Sequence, residues 1–119
     1  MQNINSQHSL SNSYYLIVDE INNNSIINDK ENVIMKKYYD FIETNQDHNI
    51  AINNLVKKEH ISKQKVLATI SNGLRKLRNE LIRNFKYNRS FKQNSLLETI
   101  LGEINVLNDI IFKNSNKIN

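Results

Sequence analysis

Apolar residues along this chain recur mostly at intervals of three and four, the period of a helix with one buried face. Tyr14, Ile17, Val18 and Ile21 form the first such stripe. The stretch 14–18 also fits a short strand; helix is the expectation, broken by the asparagine run 22–24. Asn28 or Asp29 then caps a second helix, with Glu31 in the first turn, where the helix dipole favours an acid. Ile34, Tyr38, Phe41 and Ile42 supply its apolar stripe. The polar stretch 44–49 reads as a loop, and Ile50, Leu55 and Val56 indicate a short third helix ending near Glu59 or His60. Ser62 is the clearest start signal in the chain, because its hydroxyl can accept from the free backbone amides of the next turn. The helix it opens carries Val66, Ile70, Leu74, Leu77, Leu81 and Phe85 on its buried face and is expected to reach about Lys86. A final helix is expected from Ser95, with Glu98 completing a capping box. Leu97, Ile100, Ile104, Leu107 and Ile111 follow as a seam, widened by Leu101 and Ile110. A face that wide must be covered, by the chain's other helices or by a second copy.

These elements predict an all-α fold of four to five helices, with a helix-turn-helix at about 50–86 and a long C-terminal helix at about 95–113. The chain has 119 residues, no proline and only Gly73 and Gly102, so it lacks the turn punctuation of a sandwich or barrel. One domain is expected over 13–113. The polar opening 1–12 offers too little apolar surface to offset the entropy of ordering, and 114–119 reads as a loose tail.

Composition removes several function classes. With no cysteine, neither a disulfide framework nor a thiol nucleophile nor a zinc-thiolate site can form. No apolar run approaches a membrane span, and the opening residues lack the basic start and apolar stretch of a secretory signal, so a cytoplasmic protein is expected. The abundance of Asn, Ile and Lys follows from A/T-rich codons and is silent on function. There is no Gly-rich phosphate loop, no nucleophile motif and no histidine-carboxylate pair at ligand spacing. His48 and His60 flank the third helix without companion ligands, and Glu98, Glu103 and Asp109 read as solvated, so no metal, cofactor or enzymatic activity is expected.

Charge is more informative. Between Lys57 and Lys92 stand eleven Lys/Arg against Glu59 and Glu80, a balance of +9 inside a chain of net +4, so the remainder is −5. A basic segment in an otherwise acidic chain fits a polyanion footprint, and fits a solvated helix face equally well. Phe85, Tyr87 and Phe91 interleave with Lys86, Arg89 and Lys92. Such aromatics stack on single-stranded bases or close a core; closing the core between the last two helices is expected.

A short helix, a tight turn and a capped helix with a basic start match the arrangement that lays a recognition helix in the DNA major groove. The run 61–66, Ile-Ser-Lys-Gln-Lys-Val, through Leu74-Arg75-Lys76-Leu77-Arg78 resembles the second half of region four of bacterial RNA polymerase sigma factors, with small Gly73 where the family usually has alanine. Upstream, Asn28-Asp29-Lys30-Glu31, Val33-Ile34 and Tyr38-Tyr39 are similar to its opening helix. The likeness covers about Ile27 to Phe85. It departs at His60, where the turn usually has glycine, at Val56, where a small residue is usual, and at Glu59, where an apolar one is.

The resemblance implies base-reading positions at Lys63, Gln64, Leu67 and Ala68, with Ser71 and Asn72 one turn further. Lys63 and Gln64 can bond a base or a phosphate, whereas Leu67 and Ala68 offer apolar contact such as to a thymine methyl. Lys57, Lys58, Lys65 and Arg75 become phosphate anchors, and Ser62 caps the helix at the interface. There is no room for the family's DNA-melting region, so the resemblance implies a stand-alone transcription regulator of phage or plasmid type. Its partners are double-stranded DNA, RNA polymerase by analogy with region four, and a second copy through the C-terminal helix. The alternative is a helical-bundle module that binds another protein, such as a phage-type inhibitor or immunity-type protein, without touching DNA.

Overall fold

In the computed structural model, residues 14–45, 47–85 and 90–118 are described, and among them there is no strand. Helix α1 is seen over 14–23, α2 spans Asp29–Asn45, α3 His48–Glu59, α4 Lys63–Asn84 and α5 Phe91–Ile118. The all-helical expectation holds, including the long final helix. The expected loose opening over 1–12 lies outside the described residues.

The starts of α2 to α5 are set by local devices. Asn28 and Glu31 form a reciprocal box: Glu31 N donates to Asn28 Oδ1 at 2.8 Å and Asn28 N donates to Glu31 Oε1 at 3.0 Å, which satisfies two of the amides left free at a helix N-terminus. The loop before α3 is shorter than expected, because α2 runs to Asn45 and Asp47 Oδ1 already caps α3 through Ile50 N at 3.0 Å. Ser62 Oγ accepts from Lys65 N at 3.1 Å, as its position predicted.

The start of α5 is a correction. Ser90 and Gln93 make the capping box, with Gln93 N on Ser90 Oγ at 3.1 Å and Ser90 N on Gln93 Oε1 at 2.8 Å. Ser95 is already inside the helix, its carbonyl accepting from Thr99 Oγ1. The helix also continues past 113, through the stretch read as a tail. Both Ser-x-x-Gln at 90–93 and Ser-x-x-Glu at 95–98 have capping chemistry, and the helix takes the earlier one.

The core is built around α4, which packs against α2, α3 and α5. Its buried residues Val66, Leu67, Ile70, Gly73, Leu74, Leu77 and Leu81 cover more than one face, as a central helix requires. Tyr38, Tyr39, Met35 and Ile42 from α2, Ile52 from α3, and Ile100 and Leu107 from α5 are fully buried around it. Phe85 and Phe91 do not close the gap between the last two helices: both are exposed, Phe91 to 88%. Tyr87, Lys86 and Arg89 lie outside the described residues.

The buried face of α5 is turned relative to the expected seam. Leu96, Ile100, Glu103, Ile104, Leu107 and Ile110 are buried, Leu97 and Ile111 are half-buried and Leu101 is exposed. An acid at 103 hides this face from an apolar count. The face is spent on the chain's own helices.

Gly73 sets the distance between α2 and α4. A Cβ at this position would collide with the thioether of Met35, which is fully buried and would have to be displaced within the core. Alanine is the better helix former by about 1 kcal/mol, but overpacking costs about 1–3 kcal/mol. Gly73→Ala is therefore expected to lower the urea midpoint, and to become neutral or stabilising in a Met35→Ala background. Equal effects in the two backgrounds would count against this contact.

Candidate nucleic-acid interface

The connection between α3 and α4 is a tight turn over residues 60–62. His60 sits at φ 55° and ψ 42°, in the left-handed region, and is the one positive-φ residue among those described. Histidine stands there in place of the usual glycine, at the modest cost such residue types bear in this conformation. Ser62 follows in extended conformation and α4 begins one residue later.

The candidate residues divide into two groups. Lys57 and Lys58 on the last turn of α3, and Ser62, Gln64, Lys65, Ala68, Asn72 and Arg75 on α4, are exposed, while Lys63 is half-buried. Leu67 and Ser71 are corrections. Leu67 is 2% and Ser71 3% exposed, so neither can touch a base. Positions 67 and 71 lie one residue short of 68 and 72, about 100° around the helix, and face the core. The amphipathic pattern showed a helix there but not how far its buried face extended.

Lys57, Lys58, Lys63 and Lys65 have no acidic partner among the described residues, whereas other cations do. Lys37 pairs with Glu59 at 2.6 Å, and Lys76 pairs with the buried Glu31 at 2.9 Å, tying α4 to α2. Arg75 reaches across to Asn108 Oδ1 of α5 at 3.2 Å. Lys30, a residue not singled out from sequence, lies beside Lys65. Side-chain contact with Lys65, then its charge, pulls the Lys30 amine below the usual lysine range. Both side chains are exposed, and an anion near them is favoured by their like charges.

A second polar group lies inside the protein, where sequence reading expected none. Glu103, read as solvated, is 5% exposed, and one of its oxygens lies 3.3 Å from His48 Nε2 across 55 positions of chain. Its other oxygen is unpartnered, as are the hydroxyls of Tyr38 and Tyr39. The rings pack closely, Tyr38 to Tyr39 at 4.9 Å edge-on, Tyr14 to Tyr39 at 5.8 Å and Tyr38 to His48 at 6.0 Å. Thus α1, α2, α3 and α5 each send a polar side chain to one point.

Burial first, and the Glu103 charge second, push the hydroxyls of Tyr14, Tyr38 and Tyr39 above the ordinary tyrosine value. A phenol whose folded value is raised contributes stability below its unfolded value, and that contribution is lost as pH climbs beyond it. The melting temperature is therefore expected to fall as pH rises past about 10. In a Tyr38→Phe, Tyr39→Phe chain the fall should be smaller; circular dichroism melts at stepped pH read the difference.

Among the described residues no three His, Asp or Glu side chains gather to hold a metal ion, and no helix is long and apolar enough to cross a membrane. No protein-family model, curated protein or solved structure matches the chain.

Proposed function

We propose that the protein is a duplex-DNA-binding transcription regulator, with α3 and α4 as its helix-turn-helix and α4 as the helix that enters the major groove. The observation that carries this reading is the outward face of the first turns of α4. Gln64, Lys65, Ala68 and Asn72 are exposed there, directly after a left-handed turn, and Lys57, Lys58 and Lys65 stand around it without acids to neutralise them. A groove about 12 Å wide admits one helix, whose flanking cations hold phosphates while its exposed side chains meet base edges. The likeness to sigma region four supports the same placement, and it brings RNA polymerase into the proposal as a second partner. Pairing of two copies through α5 would use exposed apolar residues such as Leu101 and Phe112, since the seam itself is occupied.

The test is a gel-shift or anisotropy titration of the full chain on random duplex at about 50 and about 200 mM salt. Phosphate-held complexes weaken steeply over that range. Absence of duplex binding at the lower salt ends the proposal.

One feature favours a second reading, a protein-docking module. An open groove of about 290 Å³ between α1 and α2 is lined by Tyr15, Val18, Lys36, Lys37, Asp40 and Glu43. A pull-down from the native host that returns one protein and no nucleic acid would select it.

A further inference from the structure

The outward stripe of α4 has a composition with consequences for what it reads. Gln64, Ala68 and Asn72 follow one another at intervals of four, and all three are exposed. The stripe covers about 12 Å of helix axis, the length of roughly three to four base pairs at about 3.4 Å each.

Both amides are uncommitted. Asn23, Asn28, Asn32, Asn84 and Asn108 each bond to a neighbouring group, whereas Gln64 and Asn72 have no hydrogen-bond partner among the described residues. Of the neighbouring cations, Arg75 is bonded to Asn108 of α5 and Lys63 is half-buried, while Lys65 is exposed at the edge of the stripe, where it serves as a phosphate contact. With Leu67 and Ser71 turned inward, the stripe presents an amide, a methyl and an amide.

That set matches one kind of base pair. A primary amide donates and accepts at once, fitting the N7 acceptor and N6 amino donor that adenine shows in the major groove, and a methyl packs on the C5 methyl of thymine. Guanine shows two acceptors there, and an amide can donate to them but leaves its own acceptor idle. Double-stranded RNA is a poorer fit, because its major groove is too narrow for side chains to read.

We infer that α4 reads A·T base pairs through the DNA major groove, with Gln64 and Asn72 each bonding an adenine edge and Ala68 packing against a thymine methyl. The inference rests on the DNA-binding reading above and supplies its substrate class.

Anisotropy titrations of the full chain at about 50 mM salt compare three short duplexes. One is all A·T in mixed order, one is all G·C, and one is the A·T duplex with 7-deazaadenine and deoxyuridine, which lack the adenine N7 and the thymine methyl. The A·T duplex is expected to bind at least roughly tenfold tighter than the G·C duplex for each amide engaged. The advantage should collapse on the modified duplex and in a Gln64→Ala, Asn72→Ala chain that still binds duplex weakly. Equal affinity for A·T and G·C overturns the inference while leaving the DNA-binding reading intact. A preference that persists on the modified duplex overturns it too, since minor-groove shape and not base edges would then be read. Binding to none of the three sinks both.

Discussion

Changing Lys57, Lys58, Lys63 and Lys65 together to alanine is expected to remove most of the salt dependence of duplex binding along with most of the affinity at low salt. Each phosphate neutralised contributes about −0.9 to the slope of log affinity against log salt. Four contacts therefore make a slope near −3.6, a loss on the order of a hundredfold between 50 and 200 mM salt. These lysines are suited to that work because no carboxylate among the described residues holds them, unlike Lys37 on Glu59 or Lys76 on Glu31. A matched chain with arginine at the four positions should keep the slope, since it keeps the charge. Lys76, pinned to Glu31, should behave differently: Lys76→Ala is expected to leave the slope unchanged. An unaltered slope in the four-alanine chain would take the phosphates away from α3 and α4.

His48→Leu is expected to be the most damaging change to the fold outside the apolar core. It takes from Glu103 the imidazole that lies against it inside the protein, where an acceptor with fewer partners is costly. Leaving a buried acceptor without its donor costs about 1–3 kcal/mol. The His48 side chain is 21% exposed, so water can replace part of the contact and about 1–2 kcal/mol is expected here. The double change His48→Leu, Glu103→Leu should recover most of the loss or exceed the parent, because two apolar side chains need no charge compensation. Urea unfolding of the three chains measures this. Additive losses in the double variant would show that the two side chains do not act as a pair. The contact has a functional edge as well, since it fastens α5 to the first turn of α3, the helix that positions the turn at His60.

Much of the fold was legible because its signals are short-range. Ser62 announced α4, Asn28 with Glu31 announced α2, and the left-handed turn fell on His60, two residues before the Ser62 cap. Stripes at three and four marked the other helices, while the third showed only Ile50, Leu55 and Val56. What misled was competition between equivalent local signals. Two serines five apart, each with a capping partner three residues on, both qualify as the start of α5, and the helix takes Ser90. The candidate interface was half legible for a related reason. Residues 61–75 were placed correctly as a turn and a helix start, yet Leu67 and Ser71 went to the core and Lys30 came in from another helix.

By itself the sequence determines that this chain is helical, where α2 and α4 begin and where its positive charge is concentrated, since capping, periodicity and charge density act within a few residues. Tertiary structure decided which flank of α4 faces outward, which residues of α5 are hidden, and that Glu103 meets His48. Those outcomes depend on the angle and distance at which helices cross, and these are set by groups far apart in the chain, such as Met35 against Gly73.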